Sequence, residues 1–175
     1  MDAKAQEWQT VRIASDGVDP KDRKLLAFKR LYPVKDYSPL DFTNPHHVAA
    51  YAVWKGSQGK TKELLAEMPY VEKDEGLGKA FVTFLEVFGP DLEQFKNTKI
   101  SLKFEGYALN KDTSVWYYYI VTPESKLLKH SPWVSVHRSR TTGRCALTGI
   151  FLYDPNDRKN SEPPKMPDKL IRSSE

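Results

Sequence analysis

Apolar residues fall at intervals of three and four through the first half of this chain and at alternate positions through the second, so the sequence predicts helices followed by strands. The clearest helix opens at Asn44-Pro45, a capping side chain before a proline at the first helical position. It runs through Val48, Ala49, Ala52 and Val53, with Tyr51 and Trp54 beside them. Gly56-Ser57-Gln58-Gly59 interrupts it, and a second short helix through Leu64, Leu65 and Met68 stops before Pro69. Upstream, Asp19-Pro20 followed by Leu25, Leu26, Phe28, Leu31 and Tyr32 favours another short helix, with a strand over 25–32 as the competitor. Pro33, Pro39 and Pro45 keep the chain between these helices extended over the surface. Ala80, Phe81, Phe84, Leu85 and Phe88 fit one helical face ending at Gly89-Pro90, although Val82, Thr83 and Val87 leave a strand open there.

The period then shortens to two. Ile100, Leu102 and Phe104 alternate with Ser101, Lys103 and Glu105, the pattern of a strand with one face in the core and one in water. Asn110-Lys111-Asp112 carries turn chemistry. The run 115–121, with Trp116, Tyr117, Tyr118 and Tyr119, is strongly β-prone and predicts a central strand. Runs 133–137 and 146–153 complete an antiparallel meander, joined by a basic turn over 138–144 around Gly143. The expected fold is α+β, with N-terminal helices packed on a mainly antiparallel C-terminal sheet. The expected organisation is one compact domain over 20–153, a flexible arm over 1–19, and a disordered tail rich in Pro, Lys and Ser over 154–175.

Composition changes this picture in two places. The mean hydropathy of −0.60 lies on the polar side for a globular chain, but aromatic residues make up 12% of it, so the core must be built from them. Cys145 is the lone cysteine, which excludes a disulfide framework and a cysteine metal site and fits a reducing compartment. Residues 1–9 are polar and resemble no signal peptide, no apolar run is long enough to span a bilayer, and Asp2 stands where N-myristoylation needs glycine. Any membrane contact is therefore expected to be peripheral.

The net charge of +4 is mild, and its distribution says more. Residues 125–153 contain no Asp or Glu yet carry Lys126, Lys129, Arg138, Arg140 and Arg144, and a second basic segment holds Lys24, Lys29 and Arg30. These eight are the candidate contacts for anionic lipid or RNA. Solvated faces are the plainer reading of most of them. A hairpin tip, however, has no structural need for three arginines, unless they guard a sheet edge.

Other motifs carry less. Gly59-Lys60-Thr61 has the ending of a phosphate-binding loop, but the glycine required five residues earlier is Trp54 and a helix precedes it where a strand is needed. An interhelical turn, with Thr61 capping the second helix, is expected instead. His46 and His47 are adjacent and point apart, so they read as polar flank at a helix start; His130 and His137 read as ordinary exposed histidines in the basic sheet, and Cys145 as a half-buried strand residue. No catalytic constellation, metal site or cofactor is predicted. Trp116, Tyr117, Tyr118 and Tyr119 serve either as core and self-association surface or as a platform on which single-stranded bases stack. On a strand, Trp116 and Tyr118 face one way and Tyr117 and Tyr119 the other.

Val48-Ala49-Ala50 and Trp54, the glycine elbow ending in Gly59-Lys60, and Leu64-Leu65-Ala66 together resemble the matrix proteins of rhabdoviruses, closest in size to the plant-infecting members. That resemblance implies a non-enzymatic α+β structural protein of the virion and host cytoplasm, peripheral at the inner membrane face. It further implies self-association, with basic segments linking anionic membrane to viral ribonucleoprotein during assembly and budding. The chain departs from the pattern in its N-terminal region, where Lys4 and Arg12 face Asp2, Glu7, Asp16 and Asp19, and in its Pro163-Pro164-Lys165-Met166, which is no budding motif. The alternative is a single-stranded nucleic-acid-binding regulatory module, such as a viral regulator or silencing suppressor.

Overall fold

A computed structural model describes residue 25, residues 31–68, 89–109, 112–123 and 132–151, and residue 167. Among the described residues five strands form one antiparallel sheet in chain order: β1 (Leu31–Pro33), β2 (Ser101–Leu109), β3 (Thr113–Val121), β4 (Trp133–Ser139) and β5 (Cys145–Phe151). Between β1 and β2 come α1 (Pro45–Ser57), α2 (Thr61–Glu67) and a 3-10 helix (Gly89–Phe95). The fold is α+β with a five-stranded antiparallel sheet, as expected. One correction applies: the sheet is not confined to the C-terminal half. Leu31 to Pro33 pair with Lys103 to Ser101, so the end of the predicted first helix is an edge strand. The expected arm, tail and helix over 80–88 lie outside the described residues.

Asn44 caps α1 as its sequence predicts, its side chain accepting from the amides of His46 (3.0 Å) and His47 (3.3 Å). Almost every residue of α1 from Pro45 to Ser57 is buried, so this helix lies inside the domain rather than on it. Alanines at 49, 50 and 52, together with Gly56, let neighbours approach closely. A β-carbon on Gly56 would stand 2.3 Å from Leu92 Cδ1 of the 3-10 helix, so that glycine serves packing and not the turn. The turn falls to Gly59 at φ 71°, where the Gly59 amide donates to the Gly56 carbonyl (3.0 Å) and the Lys60 amide to the Lys55 carbonyl (2.9 Å). That pair of bonds is a Schellman ending and it consumes the amides a phosphate would need. Thr61 is the first residue of α2, and Lys60 supplies the capping carbonyl to Leu64, which corrects the expected role of Thr61.

The sheet presents one face to α1. Tyr32, Leu102, Phe104, Trp116, Tyr118, Ile120, Val134, Val136, Leu147 and Ile150 fill the space between them. In β2 the inward residues switch from even to odd numbers, because Glu105 is an extra residue opposite the Tyr118/Tyr117 step and Gly106 adopts φ 150°. Tyr107 and Leu109 thereby join Leu102 and Phe104 in the core. A second irregularity at Thr148 does the same for β5. On the opposite face Ala108, Val115, Tyr117 and Trp133 form a second buried cluster, flanked by half-buried Tyr119 and Phe151.

Candidate anion-binding surface

The hairpin between β4 and β5 brings together Arg138, Arg140 and Arg144; Lys24, Lys29, Arg30, Lys126 and Lys129 lie outside the described residues. Gly143, at φ 75°, lets the chain reverse over five residues. The Gly143 amide donates to the Ser139 carbonyl (2.8 Å), and Ser139 Oγ accepts from the amides of Thr141 (3.3 Å) and Thr142 (3.1 Å). Arg144 donates its amide to Thr142 Oγ1 (3.3 Å), and the Arg140 amide reaches the Asp112 carbonyl (2.9 Å). With its amides satisfied internally, the tip can meet an anion only through its side chains.

The three arginines differ in exposure. Arg138 is half-buried, and its Nε donates to the Thr43 carbonyl (3.2 Å), while Nη2 lies 3.4 Å from where a Gly143 β-carbon would stand. The adjoining Cys145 amide donates to the Phe42 carbonyl (2.8 Å), so residues 42 and 43 are stitched to the hairpin at two points. Asp41 accepts from the Thr43 amide (2.9 Å) and hydroxyl (2.6 Å), and these bonds hold its carboxyl below the usual range, with the charges of His47 and Arg138 adding to the effect. Arg138 is thus partly a strut, and Arg140 and Arg144 are exposed residues of the turn. Nothing in the sequence announces the bond between Arg138 and Thr43, because the two lie 95 residues apart in the chain.

Of the two readings of residues 116–119, the structure agrees with core for three of the rings and leaves little of a stacking platform. Trp116 and Tyr118 have no exposed surface; Trp116 stacks on Tyr107 (4.6 Å) and donates its indole N–H to Ser114 Oγ (2.8 Å). Tyr117 is 7% exposed, and burial pushes its phenol up to about 12. These three rings can neither stack on bases nor reach a second copy. Tyr119 is the one of the four that remains half-buried.

His46 corrects the expectation of a polar flank, for it is entirely buried at the start of α1. Its ring lies flat on Tyr32 at 4.3 Å and meets Phe104, Trp116 and Tyr118 edge-on. The Leu25 carbonyl, 2.9 Å from Nε2, can only accept, so Nε2 carries the proton and Nδ1 takes the hydroxyl of Tyr118 at 2.9 Å. Burial pulls this imidazole down to about 4 and drives the Tyr118 phenol well above its ordinary range. His137 is also no ordinary exposed residue, since it is half-buried and its Nδ1 bonds Thr148 Oγ1; His130 lies outside the described residues. Cys145 is fully buried rather than half-buried.

The sequence also concealed a buried cation. Lys55 of α1 bridges Glu63 (3.1 Å) and Glu67 (2.9 Å) of α2 beneath Tyr51, whose hydroxyl donates to Glu67, and these partners hold its ammonium above the usual lysine range. Among the described residues, no group of His, Cys, Asp and Glu is placed to hold a metal ion, and no helix is long and apolar enough to cross a membrane. Comparison with protein-family models, curated proteins and solved structures finds no match to this chain.

Proposed function

We propose that this chain is a non-enzymatic, matrix-like structural protein that binds anionic membrane through basic surfaces and links it to viral ribonucleoprotein. The observation that carries the reading is the β4–β5 hairpin. Arg140 and Arg144 stand exposed on a turn whose amides are internally satisfied, at the end of the sheet. The sequence neighbours Lys126 and Lys129 add to the same acid-free stretch. Burial of Trp116, Tyr117 and Tyr118 removes most of the stacking surface that a single-stranded nucleic-acid module requires, so membrane stands ahead of bare RNA as primary partner. Self-association belongs to this reading, through surfaces other than those three rings.

The test is co-sedimentation with phosphatidylserine-containing and neutral vesicles across a salt series, with single-stranded RNA as competitor. Binding should require anionic lipid and fade with salt. Arg140→Gln with Arg144→Gln should weaken it by about 2 kcal/mol, at about 1 kcal/mol per basic residue near the surface. RNA binding with no vesicle binding would instead support the nucleic-acid module.

A further inference from the structure

We propose that the β1 margin of the sheet is a membrane-seating edge, in which Leu31 and Pro33 enter the headgroup layer of an anionic bilayer between Lys103, Lys99 and Lys35. The inference rests on the membrane reading above and names where the apolar contact is made. β1 alternates exposed, buried, exposed: Tyr32 turns into the core at 7%, while Leu31 is 54% exposed, the large hydrophobic residue left in water among those described. The register sets Leu31 beside Lys103 and Pro33 beside Ser101, and both neighbours lie on the outward-facing side of β2. The Val34 amide donates to the Ile100 carbonyl (3.1 Å), which carries the pairing one step further and brings exposed Lys35 and Lys99 to the same margin. Arg30 and Lys29 adjoin Leu31 in the chain. Two carboxylates are near in sequence: Asp36, which accepts from the Ser38 amide (2.9 Å), and Glu105, the bulge residue of β2.

An aliphatic pair between lysines suits a bilayer interface better than RNA. The apolar groups reach the acyl boundary while the lysine stems lie along it and their ammonium groups meet phosphate. Leu31 and Pro33 offer a base no aromatic ring to stack on. A short edge strand with proline and lysine is also a common guard against strand pairing, and the test separates the two roles.

Leu31→Cys provides a labelling site, because Cys145 is fully buried. An environment-sensitive dye on that cysteine should shift to the blue and become shielded from a soluble quencher with phosphatidylserine-containing vesicles, and should do neither with neutral vesicles or single-stranded RNA. In unlabelled protein, Leu31→Ser should weaken vesicle binding several-fold. The triple change Lys35→Gln, Lys99→Gln and Lys103→Gln should weaken it about 100-fold, at roughly fivefold for each lysine. If the unaltered chain binds these vesicles while the dye stays in water and both variants bind normally, the margin is an edge guard and the proposal fails alone. If the unaltered chain binds no anionic vesicle, the membrane reading fails with it. A dye response to RNA without one to vesicles overturns the bilayer as occupant.

Discussion

Acid should destabilise this protein through His46 before its carboxylates are titrated. In the folded state the imidazole sits without exposure among Tyr32, Phe104, Trp116 and Tyr118, and takes a proton only near pH 4. In the unfolded chain it does so at its ordinary value of 6.5. Between these values the unfolded state holds one more proton, so stability present above pH 6.5 is lost as the pH falls and levels off near 4. At about 1.4 kcal/mol per pH unit the total from this residue is about 3 kcal/mol. The groups facing it are aromatic; burial is the leading cause of the shift, the bond to the Leu25 carbonyl opposes it, and the positive charge of His47 adds to it. Urea unfolding at intervals from pH 7 to 4.5, for the natural chain and for His46→Gln, isolates the effect. The glutamine amide can still donate to Leu25 and accept from Tyr118, so this variant should be about 1–3 kcal/mol less stable at pH 7 yet lose less on acidification. The difference between the two slopes should approach one proton near pH 5. Equal slopes would refute the reasoning, because His46 would then titrate alike in both states.

Other outcomes follow from the packing. Trp116→Ala should cost about 3–5 kcal/mol in urea unfolding, whereas the half-buried Tyr119→Ala should cost less than half of that. Gly56→Ala places a β-carbon 2.3 Å from Leu92 Cδ1, so a loss of about 1–3 kcal/mol is expected despite the better helix propensity of alanine; Leu92→Ala in the same chain should relieve the clash, which a double-mutant cycle reads as positive coupling. Spectrophotometric titration should show tyrosines ionising well above pH 10 until alkaline unfolding exposes them, since burial raises Tyr32, Tyr117 and Tyr118 alike.

Much of the framework was legible because local chemistry dictates it. Asn44-Pro45 opens a helix wherever the chain goes, and Val115 to Val121 is too β-branched and aromatic for anything but a strand. The 3-10 helix at Gly89–Phe95 went unread because its apolar positions are too few for a period; the proline at 90 and Asp91 in its first turn were the available signals. The basic hairpin was legible as a composition. The grip of Thr43 on Arg138 and the alignment of Leu31 with Lys103 were not, since each joins residues far apart in sequence.

Taken alone, the order of residues determined the helix at Pro45–Ser57 and the run of strands from Ser101 onward, and it required that aromatic rings form the core of so polar a chain. What only the tertiary structure decided was the direction in which those rings point and which polar groups they bury. Glu105 as a bulge residue turned the alternation of β2 over, sending Tyr107 and Leu109 inward with Leu102 and Phe104. Part of the second face of the sheet is buried as well, which took Tyr117 out of water and left Tyr119 half in it. A histidine that begins a helix became the hub of the core because β1, β2 and β3 all meet it there. Local preference depends on a few neighbours in the chain, whereas burial depends on everything that packs nearby, and that sum exists only once the chain has folded.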